Sequence, residues 1–231
     1  MPKPGRVFRA DARTAHGALK SHDLALIAKR LTSGGAVLVP SDTCYSLAMI
    51  PHNEHTRARV NTILNRPPQW PVSLAFPGIR AVRDVAALSV RALHLLETFT
   101  PGPLTLVCPV TTRFAEQGFA TRAVGSTDLT VGVRIPDSHV ERDIAGCTSF
   151  PVTSTALRTA DGEVVRSFDD AVAMLTATGL PEWDAVEGDG GFRSRHSTVV
   201  RLTGSGLELL REGDLPFADL RAALDEMPQD Y

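Results

Sequence analysis

The chain is 231 residues long, with 43% hydrophobic and 22% charged residues and a formal net charge of −2 at pH 7. These proportions are ordinary for a globular protein, and a chain of this length can bury a sizeable core without disulfide or metal cross-links. The small net charge excludes a general attraction to nucleic acid or membrane, although it is compatible with a local basic patch.

The three cysteines, Cys44, Cys108 and Cys147, are far apart and form no Cys-x-x-Cys pair. The sequence therefore predicts neither a zinc site nor a disulfide framework, and it favours free thiols in a reducing compartment. No apolar run approaches the length of a membrane span of about 18 residues, and the polar N-terminus lacks a signal-peptide core. We therefore predict a cytoplasmic protein that does not enter the membrane.

The hydrophobic pattern predicts an irregular extension over residues 1–20 and one domain over residues 21–231. In chain order, the predicted elements are a helix over 22–32, strands over 36–40 and 45–50, a helix over 54–65, a strand over 72–76, helices over 80–87 and 89–98, strands over 104–110 and 130–135, a helix over 138–145, a strand over 151–154, a helix over 168–178, strands over 183–187, 197–202 and 207–211, and a helix over 216–226. Because strands and helices alternate irregularly, the pattern favours a mixed α/β sheet in a single domain.

The most informative stretch is the apolar strand that ends at Pro40 and is followed at once by Ser41-Asp42-Thr43-Cys44-Tyr45-Ser46. Such a step places hydroxyl and carboxyl groups at the carboxyl end of a buried strand, where α/β folds often bind ligands. The stretch resembles the Pro-Thr-Asp-Thr-x-Tyr-Gly-Leu motif of the YrdC-like threonylcarbamoyl-AMP synthase family.

Four later segments match that family in the same order, so the resemblance covers about residues 20–215. They are Asn65-Arg66-Pro67, Pro101-Gly102-Pro103-Leu104-Thr105, the segment from Thr130 to Pro136, and Ser197-Thr198-Val199-Val200 with Leu210-Arg211-Glu212-Gly213. The resemblance implies a twisted mixed α/β sheet whose concave face holds a large cavity. It also implies an enzyme that joins L-threonine, bicarbonate and ATP, carried as its Mg²⁺ complex, into threonylcarbamoyl-AMP and pyrophosphate. The product would pass to tRNA or to a carbamoyl-transfer partner protein.

The resemblance also assigns candidate site residues. Arg66 would be catalytic; the amino acid would be bound by Thr43, Arg134, Ser154 and Ser197, and the nucleotide by Thr130, Thr198 and Arg211. Arginine suits these roles because its guanidinium can grip carboxylate and phosphate with two parallel hydrogen bonds. The plainer alternatives are solvated arginines at element ends and hydroxyls that bond their own backbone. The histidines show no metal-ligand spacing, so no protein metal site is predicted.

Three positions depart from the family pattern. The lysine of the family's Lys-x-Arg-Pro is Leu64, the asparagine of its Thr-Ser-Ala-Asn segment becomes Ala156 or Arg158 according to the alignment, and Ser46 replaces the motif glycine. Losing one phosphate donor can cost on the order of 10²–10³ in rate. The sequence therefore also fits a weakly active relative, and the alternative function is a non-catalytic protein that binds double-stranded RNA or a nucleotide.

Overall fold

The structure is a computed structural model that describes residues 3–10, 18–51, 54–122, 128–188, 191–203 and 206–227. Its helices are α1 (Ser21–Thr32), α2 (Glu54–Ile63), α3 (Ile79–Val82), α4 (Val90–Phe99), α5 (Thr112–Ala115), α6 (His139–Gly146), α7 (Phe168–Ala177) and α8 (Phe217–Asp225). Its strands are β1 (Val7–Arg9), β2 (Ala36–Pro40), β3 (Tyr45–Ala48), β4 (Ser73–Ala75), β5 (Leu104–Pro109), β6 (Thr121–Arg122), β7 (Leu129–Arg134), β8 (Val152–Thr153), β9 (Thr155–Ala156), β10 (Trp183–Glu187), β11 (Thr198–Thr203) and β12 (Gly206–Arg211). Each helix in the described ranges is too short or too polar to cross a membrane.

The smaller of two sheets has the strand order β1-β10-β2-β3-β9. The first three strands are parallel, and β3 and β9 continue the sheet in antiparallel pairs. All five residues of β2 are buried, which explains its uninterrupted apolar sequence, because a strand covered on both faces has no polar side to present. Helix α1 covers one face through Ile27 and Leu31.

The larger sheet has the order β12-β11-β5-β7-β4-β8, with β6 paired to β7. It mixes parallel pairs, such as β5 with β11, and antiparallel pairs, such as β5 with β7. Along β5 the buried side chains of Leu104 and Leu106 join a core cluster with Leu95 and Leu96 of α4 and Leu220 of α8. The helices therefore cover one face of this sheet, and the alternate residues of its strands face the other way.

The predicted mixed α/β fold in one domain is confirmed, but its strands are divided between two sheets. The division occurs at Ser154, because β8 before it pairs with β4 of the larger sheet and β9 after it pairs with β3 of the smaller one. The Ser154 amide also donates to the Ser73 carbonyl at 2.8 Å. One extended segment thus passes from one sheet to the other, and the candidate site lies beside this corner.

Most predicted elements are present with shifted ends, and the differences concern short elements. The helix predicted over 80–87 covers only Ile79–Val82, while α5, β6 and β9 are not predicted. Each of these has two to four residues, which is too short for a hydrophobic repeat to be recognised.

The N-terminal segment contains a strand, so the prediction of an irregular extension is wrong for Val7–Arg9. These residues pair in parallel with β10, and the amide of Gly5 extends the pairing with a 2.8 Å hydrogen bond to the Trp183 carbonyl. Phe8 is buried against the core, while its two strand neighbours are exposed. The segment is therefore held by pairing at an edge of the smaller sheet, and its partner strand β10 lies far away along the sequence.

Candidate active site

The loop between β2 and β3 supplies the first part of the site. The Ser41 amide donates to the Cys44 carbonyl at 2.9 Å, which closes a four-residue turn. Ser41, Asp42 and Thr43 are all buried although their side chains are polar. Buried polar groups need partners, and the partners of this loop define the floor of the site.

Arg134, the last residue of β7, forms a buried ion pair with Asp42. Its Nη2 donates to Asp42 Oδ1 at 2.7 Å, and the two side chains are 7% and 0% exposed. Burial opposes the charge on Arg134, but the carboxylates of Asp42 and Glu141 together raise its pKa above the ordinary value. Its Nε is buried without a partner in the described part of the chain. The guanidinium is therefore fixed in a charged state at the site.

A second buried carboxylate, Glu141 of α6, lies beside this pair. It accepts hydrogen bonds from the hydroxyls of Ser154 at 2.7 Å, Ser46 at 3.4 Å and Ser41. Burial raises the pKa of Glu141 above its usual range, against the opposing effect of the Arg134 charge. Glu141 thus orients three hydroxyls, among them that of the predicted substrate-binding residue Ser154.

A cavity of about 550 Å³ lies on the face of the larger sheet that its helices leave free. Alternate residues of the strands point into it, namely Thr105 and Val107 of β5, Thr130, Gly132 and Arg134 of β7, and Val199 and Arg201 of β11. Gly132 is required by close packing, because a Cβ there would lie 2.6 Å from the Ser73 hydroxyl. The period of two along β5, β7 and β11 therefore supplies much of the cavity wall, to which Val131 also contributes.

The structure brings seven of the eight predicted site residues to this cavity. They are Thr43, Arg66, Thr130, Arg134, Ser154, Ser197 and Arg211. They come from segments far apart in sequence, as expected if the motif segments form one site. Their individual roles stay predictions.

Thr198 is the exception, because it does not line the cavity. It is fully buried outside the cavity wall, where its hydroxyl donates to the Leu215 carbonyl at 2.6 Å and accepts from the Gly213 amide at 3.0 Å. The reason is the parity of β11, since Val199 and Arg201 face the cavity and Thr198 faces the opposite side. Thr198 therefore anchors the loop after β12 rather than lining the cavity.

Ser197 and Arg211 are held together at the cavity. Arg211 Nη2 lies 2.8 Å from both the carbonyl oxygen and the hydroxyl of Ser197, and the Thr105 hydroxyl donates to Ser197 Oγ at 2.9 Å. A hydroxyl has two acceptor sites and one proton. Because both acceptor sites of Ser197 are used, its proton is left for an acceptor in the cavity.

The two predicted threonines differ in what they can still bind. Thr130 donates its hydroxyl proton to the Thr121 carbonyl at 3.1 Å, so it can only accept a further hydrogen bond. Among the described residues, the Thr43 hydroxyl makes only a weak contact, with the Cys44 sulfur at 3.6 Å. Thr43 is therefore the better donor to a ligand.

The cavity wall is strongly cationic. Arg66 follows Asn65, whose φ of 53° ends helix α2, and its Nη2 donates to the Ala156 carbonyl at 2.7 Å. Arg66, Arg158 and Arg211 all line the cavity, and among the described residues none of them has a carboxylate within ion-pair distance.

The positive charges of this wall affect one another. Burial, and then the neighbouring Arg158 charge, lower the pKa of both Arg66 and Arg211. Burial, Arg158 and Arg211 likewise lower the pKa of His196, which also lines the cavity. This wall would bind an anion with several charges.

The comparisons with known proteins identify the family. The Sua5/YciO/YrdC family model, described as telomere recombination, matches residues 29–213. The chain belongs to this family. A threonylcarbamoyl-AMP synthase of Vibrio vulnificus strain YJ016 is 28% identical over 137 residues, which make up 58% of this chain and 70% of that protein.

Two solved structures show the same Sua5/YciO/YrdC fold. P. abyssi Sua5, solved in complex with L-threonine, matches with a TM-score of 0.76 and 23% identity, over 96% of this chain and 61% of its own. E. coli YciO matches with a TM-score of 0.75 and 17% identity, over 91% of this chain and 96% of its own. The chain therefore spans about three fifths of the Sua5 chain and nearly all of YciO.

Sequence reasoning missed two residues of this Sua5/YciO/YrdC site. Arg158 entered only as an alternative alignment for the family asparagine, and the structure places it in the cavity wall. Glu141 stands three residues after the helix cap Ser138, which is the pattern of a capping box. Its amide does bond to the Ser138 hydroxyl, at 3.2 Å, but its carboxylate turns inward to the three serines.

The family lysine position is not part of the cavity. Leu64 is 7% exposed and packs in the main core cluster. Two nearby arginines do not replace a lysine there, because Arg57 bonds to the Phe119 and Ala120 carbonyls and Arg59 bonds to the Gly34 carbonyl at 2.7 Å. Position 64 therefore contributes no cation to the cavity wall.

Proposed function

We propose that this protein is a threonylcarbamoyl-AMP synthase, which converts L-threonine, bicarbonate and ATP into threonylcarbamoyl-AMP and pyrophosphate. The observation that carries the proposal is the cavity wall, where Arg66, Arg158 and Arg211 lie together without carboxylate partners in the described ranges. All three substrates are anionic or carry a carboxylate, and a cationic cavity stabilises their assembly.

The two parts of the cavity suit different substrates. Arg134 and Ser154 are held by the buried carboxylates Asp42 and Glu141, and with Thr43 and the Ser197 proton they would bind the amino acid. Arg66, Arg211 and Thr130 would bind the nucleotide. Fixed donors need no reorganisation when charge develops, so they can stabilise a transition state.

Mg²⁺ would arrive with the nucleotide as part of the substrate. The carboxylate among the described cavity residues, that of Glu208, is paired with Arg201 at 2.6 Å. Phosphate oxygens and water can complete the octahedral shell of Mg²⁺ without a dedicated protein cage.

The chemistry requires orientation more than a protein nucleophile. The threonine amine and bicarbonate would give a carbamate and water, and a carbamate oxygen would then attack the α-phosphorus of ATP while pyrophosphate leaves. Arg66 would neutralise charge on the reacting phosphates, and the bound geometry would bring carbamate and phosphate together. The product is an activated carbamoyl group, and tRNA or a carbamoyl-transfer protein would be its acceptor.

Pyrophosphate release tests the proposal. The purified protein is incubated with Mg-ATP, bicarbonate and each amino acid in turn, with bicarbonate omitted as a control. We expect release that depends on both threonine and bicarbonate. If no amino acid gives pyrophosphate and double-stranded RNA binds with an affinity that falls steeply with salt, the non-catalytic RNA-binding function replaces this one.

A further inference from the structure

We propose that Arg158 binds the polyphosphate of the nucleotide and supplies the positive charge that the family lysine would provide at the position of Leu64. The inference rests on the proposed function, because it assigns one more residue to the same site. The family motifs do not contain this cation. It follows β9, whereas the missing lysine belongs to the end of α2.

The position of Leu64 excludes a phosphate contact from a side chain at that place in the sequence. Its side chain is packed in the core and is not part of the cavity wall. A lysine there would have to cross the core to reach a phosphate. The charge therefore has to come from another direction if the wall is to hold a triphosphate.

Arg158 is fixed by the hairpin that follows β9. It forms an antiparallel bridge with Val164, and the amides of Val165 and Thr159 donate to the carbonyls of Leu157 and Glu163 at 3.0 and 2.8 Å. Its Nη1 donates to the Gly162 carbonyl at 2.6 Å. No other hydrogen bond of its guanidinium is found within the described residues, so Nε and Nη2 remain for a ligand.

The charge of Arg158 acts on the cations around it. It lowers the pKa of Arg66, Arg211 and His196, in each case after the effect of burial. Holding these like charges together is unfavourable without a ligand, and the cost is relieved most by an anion with several charges. The cluster should therefore favour ATP over AMP, which carries fewer phosphate charges.

Calorimetry of ATP and AMP binding tests the inference without turnover. The variants are Arg158→Ala, Arg158→Lys, and Arg91→Ala as a control that removes the same charge from the exposed side of α4. We expect Arg158→Ala to weaken ATP binding about 10- to 100-fold, the loss of one charge-assisted contact, and to weaken AMP binding much less. Arg158→Lys should keep part of the ATP preference, because the charge remains while the planar fork is lost. Arg91→Ala should bind both nucleotides as the wild type does.

A second measurement reads the position of Arg158 without any nucleotide. Arg158→Ala should raise the pKa of His196, followed by NMR, because one of the cations that lowers it is removed. Melting curves of both Arg158 variants first establish that they are folded.

The outcomes separate the two proposals. If the wild type neither binds ATP nor releases pyrophosphate, the proposed function fails and takes the inference with it. If the wild type binds ATP and Arg158→Ala binds it equally well, or loses ATP and AMP to the same extent, Arg158 is not the polyphosphate contact and the proposed function stands without it. An unchanged His196 pKa in a folded Arg158→Ala would also overturn the placement of this charge.

Discussion

Replacing Arg134 by methionine should destabilise the protein by about 3–5 kcal/mol at pH 7, because it strands a buried carboxylate without its partner. The ion pair is deeply buried, with Asp42 fully inaccessible and an Nη2–Oδ1 distance of 2.7 Å. Glu141 adds a second buried carboxylate to the same cluster. Since small proteins are stable by only about 5–15 kcal/mol, this loss would be a large part of the total.

The destabilisation should depend on pH with a definite sign. Arg134 opposes the rise in the Glu141 pKa that burial causes, so its removal should raise that pKa further. The folded variant then binds protons more tightly than the folded wild type, so its stability relative to the wild type falls as pH rises. The cost should therefore be smaller near pH 4.5 than at pH 7.

Urea denaturation at both pH values, followed through the buried Trp183, measures this difference. A double-mutant cycle with Asp42→Asn isolates the pair, and the double variant should cost less than the sum of the single changes. A loss below about 1 kcal/mol that is the same at both pH values would refute the reasoning, since that is the value of an exposed pair. If the prediction holds, any loss of amino-acid binding in an Arg134 variant has to be measured on protein shown to be folded.

Two further predictions follow from the buried positions. Leu64→Lys should lower the melting temperature and leave pyrophosphate release no faster than in the wild type, because a core site cannot present an amine to the cavity; a stable variant with a higher rate would show that position 64 can reach the nucleotide. Glu141→Gln should remove a pH dependence of stability, because the raised pKa of Glu141 makes the wild type lose stability as pH rises from about 4.5 through the folded-state pKa. The free energy of unfolding from urea denaturation should therefore shift in favour of the variant, relative to the wild type, as pH increases; an equal difference at every pH would contradict this.

The cavity wall was predictable where the strand pattern and the motif agree. In Thr130-x-Gly132-x-Arg134 the alternation itself places the three residues on one face of β7, and the structure puts all three in the cavity wall. Ser197-Thr198 is the opposite case. The motif supplied both residues as a pair, although neighbours in an extended chain face opposite sides, and only Ser197 reaches the cavity. Parity along β11 contains the signal that separates them.

Long-range partners were not predictable from local patterns. β1 is three residues long, which is too short for an alternating pattern, and its partner Ala185 is far away along the chain. Glu141 shows the same limit on a smaller scale. Its spacing from Ser138 indicates a helix cap, and only the folded chain brings Ser41, Ser46 and Ser154 to its carboxylate.

Two departures from the family motif make contacts of their own in the folded chain. Ser46, in place of the motif glycine, gives the buried Glu141 a hydroxyl donor at 3.4 Å that a glycine would lack. Leu64, in place of the lysine, adds apolar volume to the core, while Arg158 adds a cation to the cavity wall from the neighbouring hairpin. A substitution that removes a donor from one element and another that adds a donor from a second element can leave the same anion bound, because the ligand senses the position of the charge and not its place in the sequence. The loss of a motif residue is therefore weak grounds for assigning lost activity until the wall of the cavity has been followed around all of its strands.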